Sequence, residues 1–132
     1  MIKDNDYRKY FDTTMLDDAL LKTYVTPNIV REASGFVENT AKNFGVSASS
    51  IKVPTPFAVE QLARLYAYMT AAFRKATFSV GKDADEDSFA LKYKIYKQLL
   101  DEWLEQMSAE SFTGGAMAKK RKFPSTIPVY RN

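Results

Sequence analysis

The chain contains no cysteine and no histidine. Without cysteine there are no disulfides, no thiolate nucleophile and no cysteine-ligated zinc. Without histidine the commonest general base and the commonest side-chain metal ligand are both missing. Much of enzymology is excluded by those two absences, although carboxylate chemistry is not. No stretch approaches the ~18 consecutive apolar residues of a membrane-spanning helix. The opening MIKDNDYRKYFD is polar and unlike a secretory signal.

What is present has the make-up of a globular domain, with 45% hydrophobic and 27% charged residues. The 132 residues suffice for one domain, or one domain with a tail, whose core needs no covalent staples. The charge is split along the chain. Of 19 cations, five (Lys119, Lys120, Arg121, Lys122 and Arg131) lie after Ala116, where there is no acid. The body therefore carries 14 cations against 16 acids, so the basic character belongs to the tail. A whole-chain nucleic-acid binder does not fit that distribution.

Apolar spacing predicts an all-α fold: a small helical bundle with two long helices, shorter N-terminal helices and an extended C-terminal arm. Residues 1–12 read as a flexible leader, 13–115 as the bundle and 116–132 as the basic arm. Thr14 is placed to cap a short helix over 15–23, with Leu16, Ala19 and Leu20 on its apolar side. Thr26 and Pro27 open the next helix, whose buried stripe is Val30, Ala33, Val37, Ala41 and Phe44. Gly45 supplies a left-handed end, Val46 folds back on the stripe, and 47–51 can form a single turn. Thr55 and Pro56 then open a long helix over 56–76, with Val59, Leu62, Tyr66, Met69, Phe73 and Ala76 as its stripe. Phe57 and Leu65 widen that face, and the alanines at 63, 67, 71 and 72 permit close helix approach. A second long helix runs from 86 or 88 to 107 on Phe89, Tyr93, Tyr96, Leu100, Trp103 and Met107, broadened by Ile95, Leu99 and Leu104. Such stripes favour shallow packing angles between neighbours. Ser108 either sits in the last turn or caps a new short helix, and Gly114–Gly115 ends the folded body.

Asp83, Asp85 and Asp87 resemble the start of a calcium loop, but Ser88 and Lys94 stand where such a loop needs glycine and a bidentate glutamate. Acids at a helix start are the simpler reading. Asp101, Glu102 and Glu105 could do acid–base work or bind magnesium, but an outer charged helix face is the simpler reading, with Lys97 placed to pair with Asp101. Tyr66, Tyr68, Tyr93, Tyr96 and Trp103 could stack on bases, yet all but Tyr68 fall on the core stripes. Tyr68 is expected to be exposed. Arg64, Arg74 and Lys75 are too few for a phosphate track on the 56–76 helix.

The tail stands apart. A solvated basic linker or a plain terminus seldom carries Phe123, Ile127, Val129 and Tyr130 so close together. Pro124 and Pro128 restrict the segment to an extended arm or a single edge strand. An arm that orders on a partner fits, with Lys119, Lys120, Arg121 and Lys122 steering it towards an acidic surface.

The helices read in order TPNIVREASGFVENTAKNFGV, VPTPFAVEQLARLYAYMTAAFRKA and DSFALKYKIYKQLLDEWLEQMSAESFTGG, followed by an arm ending IPVYRN. This order resembles the small helical head–tail connector, or adaptor, proteins of tailed bacteriophages. The resemblance covers about residues 13–113 and includes a K-x-x-x-Y on the last long helix, here Lys92–Tyr96. It implies a structural virion protein of the neck, made in the host cytoplasm, with no catalysis, no cofactor and no membrane. It further implies a homo-oligomeric ring, commonly of about twelve copies, closed by heterologous contacts. The ring would sit beneath the portal protein, extend the DNA channel without sequence-specific binding, and seat a stopper or tail-completion protein. The arm residues Lys119, Lys120, Arg121, Lys122, Phe123, Ile127, Val129, Tyr130 and Arg131 would then grip the portal or a neighbour. The connection over 77–87, with Phe78, Val80, Lys82, Asp83 and Asp85, is a candidate for reaching a neighbouring subunit or the channel. The alternative is a small DNA-binding regulatory protein using the KKRK tail, and an enzyme built on Asp101, Glu102 or Glu105 ranks last.

Overall fold

The computed structural model describes residues 7–76 and 88–114. Among them the fold is all-α, without a strand. Helices α1 (Pro27–Asn43), α2 (Phe57–Lys75), α3 (Ser88–Gln106) and α4 (Ala109–Thr113) follow two 3₁₀ turns, Thr13–Met15 and Lys22–Tyr24. The proposed loop and arm residues, within 77–87 and 115–132, lie outside the described residues, as does the single strand considered for the arm.

The start and end of α1 follow from local chemistry. Thr26 Oγ1 accepts the Ile29 N–H at 3.3 Å, and Pro27 occupies the first turn. At the far end Gly45 takes φ +81°, and the Val46 N–H returns to the Ala41 carbonyl at 2.8 Å. Val30, Ala33, Val37 and Ala41 are buried as a stripe. Phe44 is not, because it caps the helix and turns its ring towards Phe112, 5.8 Å away. The turn over 47–51 forms as a 3₁₀ turn, Ala48–Ser50.

Helix α2 lies between α1 and α3 and also meets α4 and the second 3₁₀ turn. It begins one residue later than expected. Pro56 is its N-cap, while the Thr55 hydroxyl accepts from Arg8 Nη2 at 2.9 Å. Having neighbours on two sides, α2 buries a broad arc rather than one stripe: Val59, Leu62, Ala63, Leu65, Ala67, Tyr68, Thr70, Ala71 and Ala72. The small Ala63, Ala67 and Ala71 let a helix approach closely, and Phe36 of α1 stacks on Tyr66 at 4.4 Å. Phe57 and Phe73, read as core, are exposed at the ends of α2.

Helix α3 packs one face on α2 through Leu100, with Phe89, Tyr93, Tyr96, Trp103 and Leu104 partly buried around it. Ile95 and Leu99 do not broaden that face. Together with Leu91 they form an exposed row at four-residue spacing. Ser108 does start a separate helix, α4: its N–H donates to Ser111 Oγ at 3.0 Å. Gly114 closes α4 at φ +73°.

The N-terminal region differs most from expectation. The leader assigned to 1–12 is part of the core over its described half, where Tyr10 and Phe11 are buried. Tyr10 donates to Glu38 Oε2 at 2.7 Å, and Arg8 reaches the carbonyls of Ile51 and Lys52. The helix over 15–23 is absent. Asp18 Oδ1 accepts the N–H groups of Leu20 and Leu21, each at 3.0 Å. Tyr68 Oη accepts those of Asp17 and Asp18. With those donors satisfied by side chains, turns replace the helical ladder.

Candidate functional site: a buried carboxylate and an uncovered helix face

Asp18 is the most enclosed charged group among the described residues, with its side chain 3% exposed. Its Oδ2 receives Lys92 Nζ at 2.8 Å and Tyr96 Oη at 2.6 Å. Its Oδ1 holds the local turn. Helix α3 places Lys92 and Tyr96 one turn apart on the same side, which is the geometric content of a K-x-x-x-Y spacing. Helix α2 supplies the third partner, Tyr68, whose hydroxyl accepts from the Asp17 and Asp18 N–H groups at 2.7 and 2.9 Å. It donates in turn to Asp17 Oδ1 at 3.0 Å. The Tyr68 and Tyr96 rings lie 4.8 Å apart, closing the cluster.

The electrostatics favour a clasp over a proton-transfer site. Burial alone would raise the Asp18 carboxyl, but hydrogen bonds from Lys92, Tyr96 and the Leu21 N–H outweigh it and hold the group below the usual carboxylate range. Burial, then the bond to Asp18, pushes the Tyr96 phenol well above its ordinary value. Burial likewise raises Tyr68. An acid and a phenol driven away from neutrality in opposite directions are poorly matched to general acid–base work.

The acids of α3 remain on the surface. Asp101 pairs with Lys97 at 3.3 Å and Glu102 accepts from Gln98 at 3.1 Å. Among the described residues no group of three ligating side chains could hold a metal ion. The aromatic residues considered for base stacking are engaged internally. Tyr66 stacks on Phe36, and Tyr93 lies 5.2 Å from Phe73. Trp103 Nε1 donates to the Ala58 carbonyl at 2.9 Å. Tyr68, expected outside, is 3% exposed and holds the N-terminal turn. The three cations of α2 are also engaged: Arg64 on the Met15 carbonyl, Arg74 on Glu32, and Lys75 over the Tyr24 ring.

Two surface features stand out among the described residues. A groove of about 1050 Å³, lined in part by Tyr7, Lys9, Phe11, Pro27 and Pro54, opens beside the N-terminal segment. The second is the α3 row, where Leu91, Ile95 and Leu99 are 57%, 44% and 42% exposed. Sequence reasoning missed both the clasp and this row. The signals for the clasp were the adjacent acids Asp17 and Asp18 within an apolar stretch, and Lys92 one turn before Tyr96. For the row, the signal was a second apolar side on a helix that already had one. Helices of the described residues are too short or too polar to cross a membrane. No protein-family model, curated protein or solved structure matches the chain.

Proposed function

We propose that this chain is a structural assembly protein: the head–tail adaptor of a tailed bacteriophage, repeated as a ring beneath the portal. The observation that carries this reading is the convergence of Lys92 and Tyr96 on Asp18. The pair that the family resemblance singles out is thereby the pair that locks the N-terminal segment to the last long helix. A body with its polar clusters turned to internal bracing suits a building block. Its exposed Val53 and Phe57, at the entry to α2, are side chains of the kind that protein partners cover.

In this reading the ring extends the DNA channel and seats the stopper or tail-completion protein. Residues 119–131 grip the portal or a neighbour, and residues 78–85 reach a neighbouring subunit or the channel. The protein needs no cofactor and performs no catalysis. The deciding experiment is co-sedimentation with the portal protein of the same genome, comparing the full chain with one ending at Gly115. Binding by the full chain alone supports the adaptor and puts the grip in the arm. Binding by both keeps the adaptor and moves its contact to the bundle. Binding by neither removes the portal from the proposal. The DNA-binding alternative then predicts an affinity that falls steeply with salt.

A further inference from the structure

The outer side of α3 reads as two zones in sequence. Leu91, Ile95 and Leu99 make an apolar row along its first two-thirds, all three side chains exposed. Towards its C-terminal end, residues 98–106 hold three acids and no cation, with Lys97 just before them paired to Asp101 at 3.3 Å. One turn beyond Leu99, Trp103 turns to the α2 side, where the exposed Phe57 lies against it with ring centroids 6.4 Å apart. An apolar row of this kind on a helix that already has a buried face is a surface awaiting a cover.

The chain after Gly114 has the complementary order. Its four consecutive cations, Lys119–Lys122, come first, and Phe123, Ile127, Val129 and Tyr130 follow. Gly114 ends the short helix after α3, so the segment starts eight residues along the chain from Gln106 at the acidic end of α3. Running back antiparallel along α3, it meets Asp101, Glu102 and Glu105 before Leu99, Ile95 and Leu91.

The spacings agree as well as the order. At ~3.3 Å per extended residue, Phe123 lies ~8 Å and Ile127 ~21 Å beyond the middle of the basic run. At ~1.5 Å per helical residue, Leu99 lies ~6 Å and Leu91 ~18 Å from Trp103, the middle of the acidic zone. A parallel course would set the cations on the apolar row and leave the acids facing Ile127 and Val129.

We propose that, before any partner binds, residues 119–132 of the chain dock antiparallel on the outer face of their own α3. Lys119–Lys122 then face Asp101, Glu102 and Glu105, and Phe123 and Ile127 cover Leu99 and Leu91. Tethering favours the chain's own segment over that of another copy, because its effective concentration is set by a short linker. This inference stands whether or not the partner is a portal.

The lack of cysteine allows a clean test on the full chain. A nitroxide on Ile127→Cys should erase the methyl signals of Leu91 and Ile95 in dilute, monomeric protein. The signals should return on raising the salt several-fold, because exposed charge pairs are screened. They should also return in the surface double variant Glu102→Lys, Glu105→Lys, with unchanged helical circular dichroism showing that the fold is intact. No erasure at low salt overturns the docking. Erasure only when spin-labelled chains are mixed with isotope-labelled ones overturns docking on the chain's own α3. Erasure that survives both high salt and charge reversal overturns the antiparallel register.

Discussion

Tyr96 Oη lies 2.6 Å from Asp18 Oδ2, and Lys92 Nζ shares that oxygen at 2.8 Å. The two donors unequally guard one buried charge. Tyr96→Phe removes a hydrogen bond to a charged group and should cost about 1.5–3 kcal/mol. Lys92→Met leaves the enclosed carboxylate without its counter-charge and should cost more, up to about 3–5 kcal/mol. Urea unfolding midpoints of the two variants measure the difference. A larger loss for Tyr96→Phe would mean that the hydroxyl, not the ammonium, balances Asp18.

The same carboxylate sets an acid limit on stability. Its folded pKa is depressed, so its contribution is complete above the ordinary aspartate value and is lost as pH falls through the folded one. The melting temperature should therefore drop as pH falls below about 4. In Asp18→Asn, already weaker at neutral pH, that part of the drop should be missing. Parallel acid profiles for the two proteins would assign the loss to other carboxylates.

Two glycine-to-alanine changes should act with opposite sign. Gly114 sits at φ +73°, where an added Cβ would come 2.3 Å from Lys52 Cδ. Gly114→Ala should destabilise by about 1–2 kcal/mol from the left-handed conformation alone. Gly35 lies within α1, and a Cβ there meets nothing within 4 Å. Gly35→Ala should stabilise by about 0.5–1 kcal/mol. Thermal melts of both variants test the pair.

Removing residues 116–132 should leave the helical circular dichroism unchanged, because every helix among the described residues ends before that point. On the adaptor reading the same truncation should abolish docking. Loss of folding on truncation would show that the arm is part of the body's core.

Helix α1 was legible apart from the exposure of Phe44, because its signals are local: Thr26 and Pro27 at one end, Gly45 at the other, and a single stripe between them. Helix α2 was legible as an element but not as a packing surface. Periodicity assumes a neighbour on one side, and α2 has neighbours on two sides. Tyr68 therefore points inward while Phe73 stays out. The 15–23 region defeated local reasoning for a different cause. Its turn depends on Tyr68, Lys92 and Tyr96, and nothing in a short window announces hydroxyls and an ammonium arriving from that far along the chain. The Asp18 cluster was hidden for the same reason, although Lys92–Tyr96 was visible as a spacing.

The clasp also fixes an order of events during synthesis. Asp18 leaves the ribosome long before Lys92 and Tyr96, the residues that pair with it, which lie 74 and 78 positions downstream. Contacts of such long sequence separation form late, after more local ones. Helices α1 and α2 can pair as soon as both have emerged, with the N-terminal segment held through Tyr10 and Tyr68 but the Asp18 charge still unpaired. The arrival of α3 supplies the missing counter-charge, so a late helix determines when the oldest stretch of chain becomes fully native.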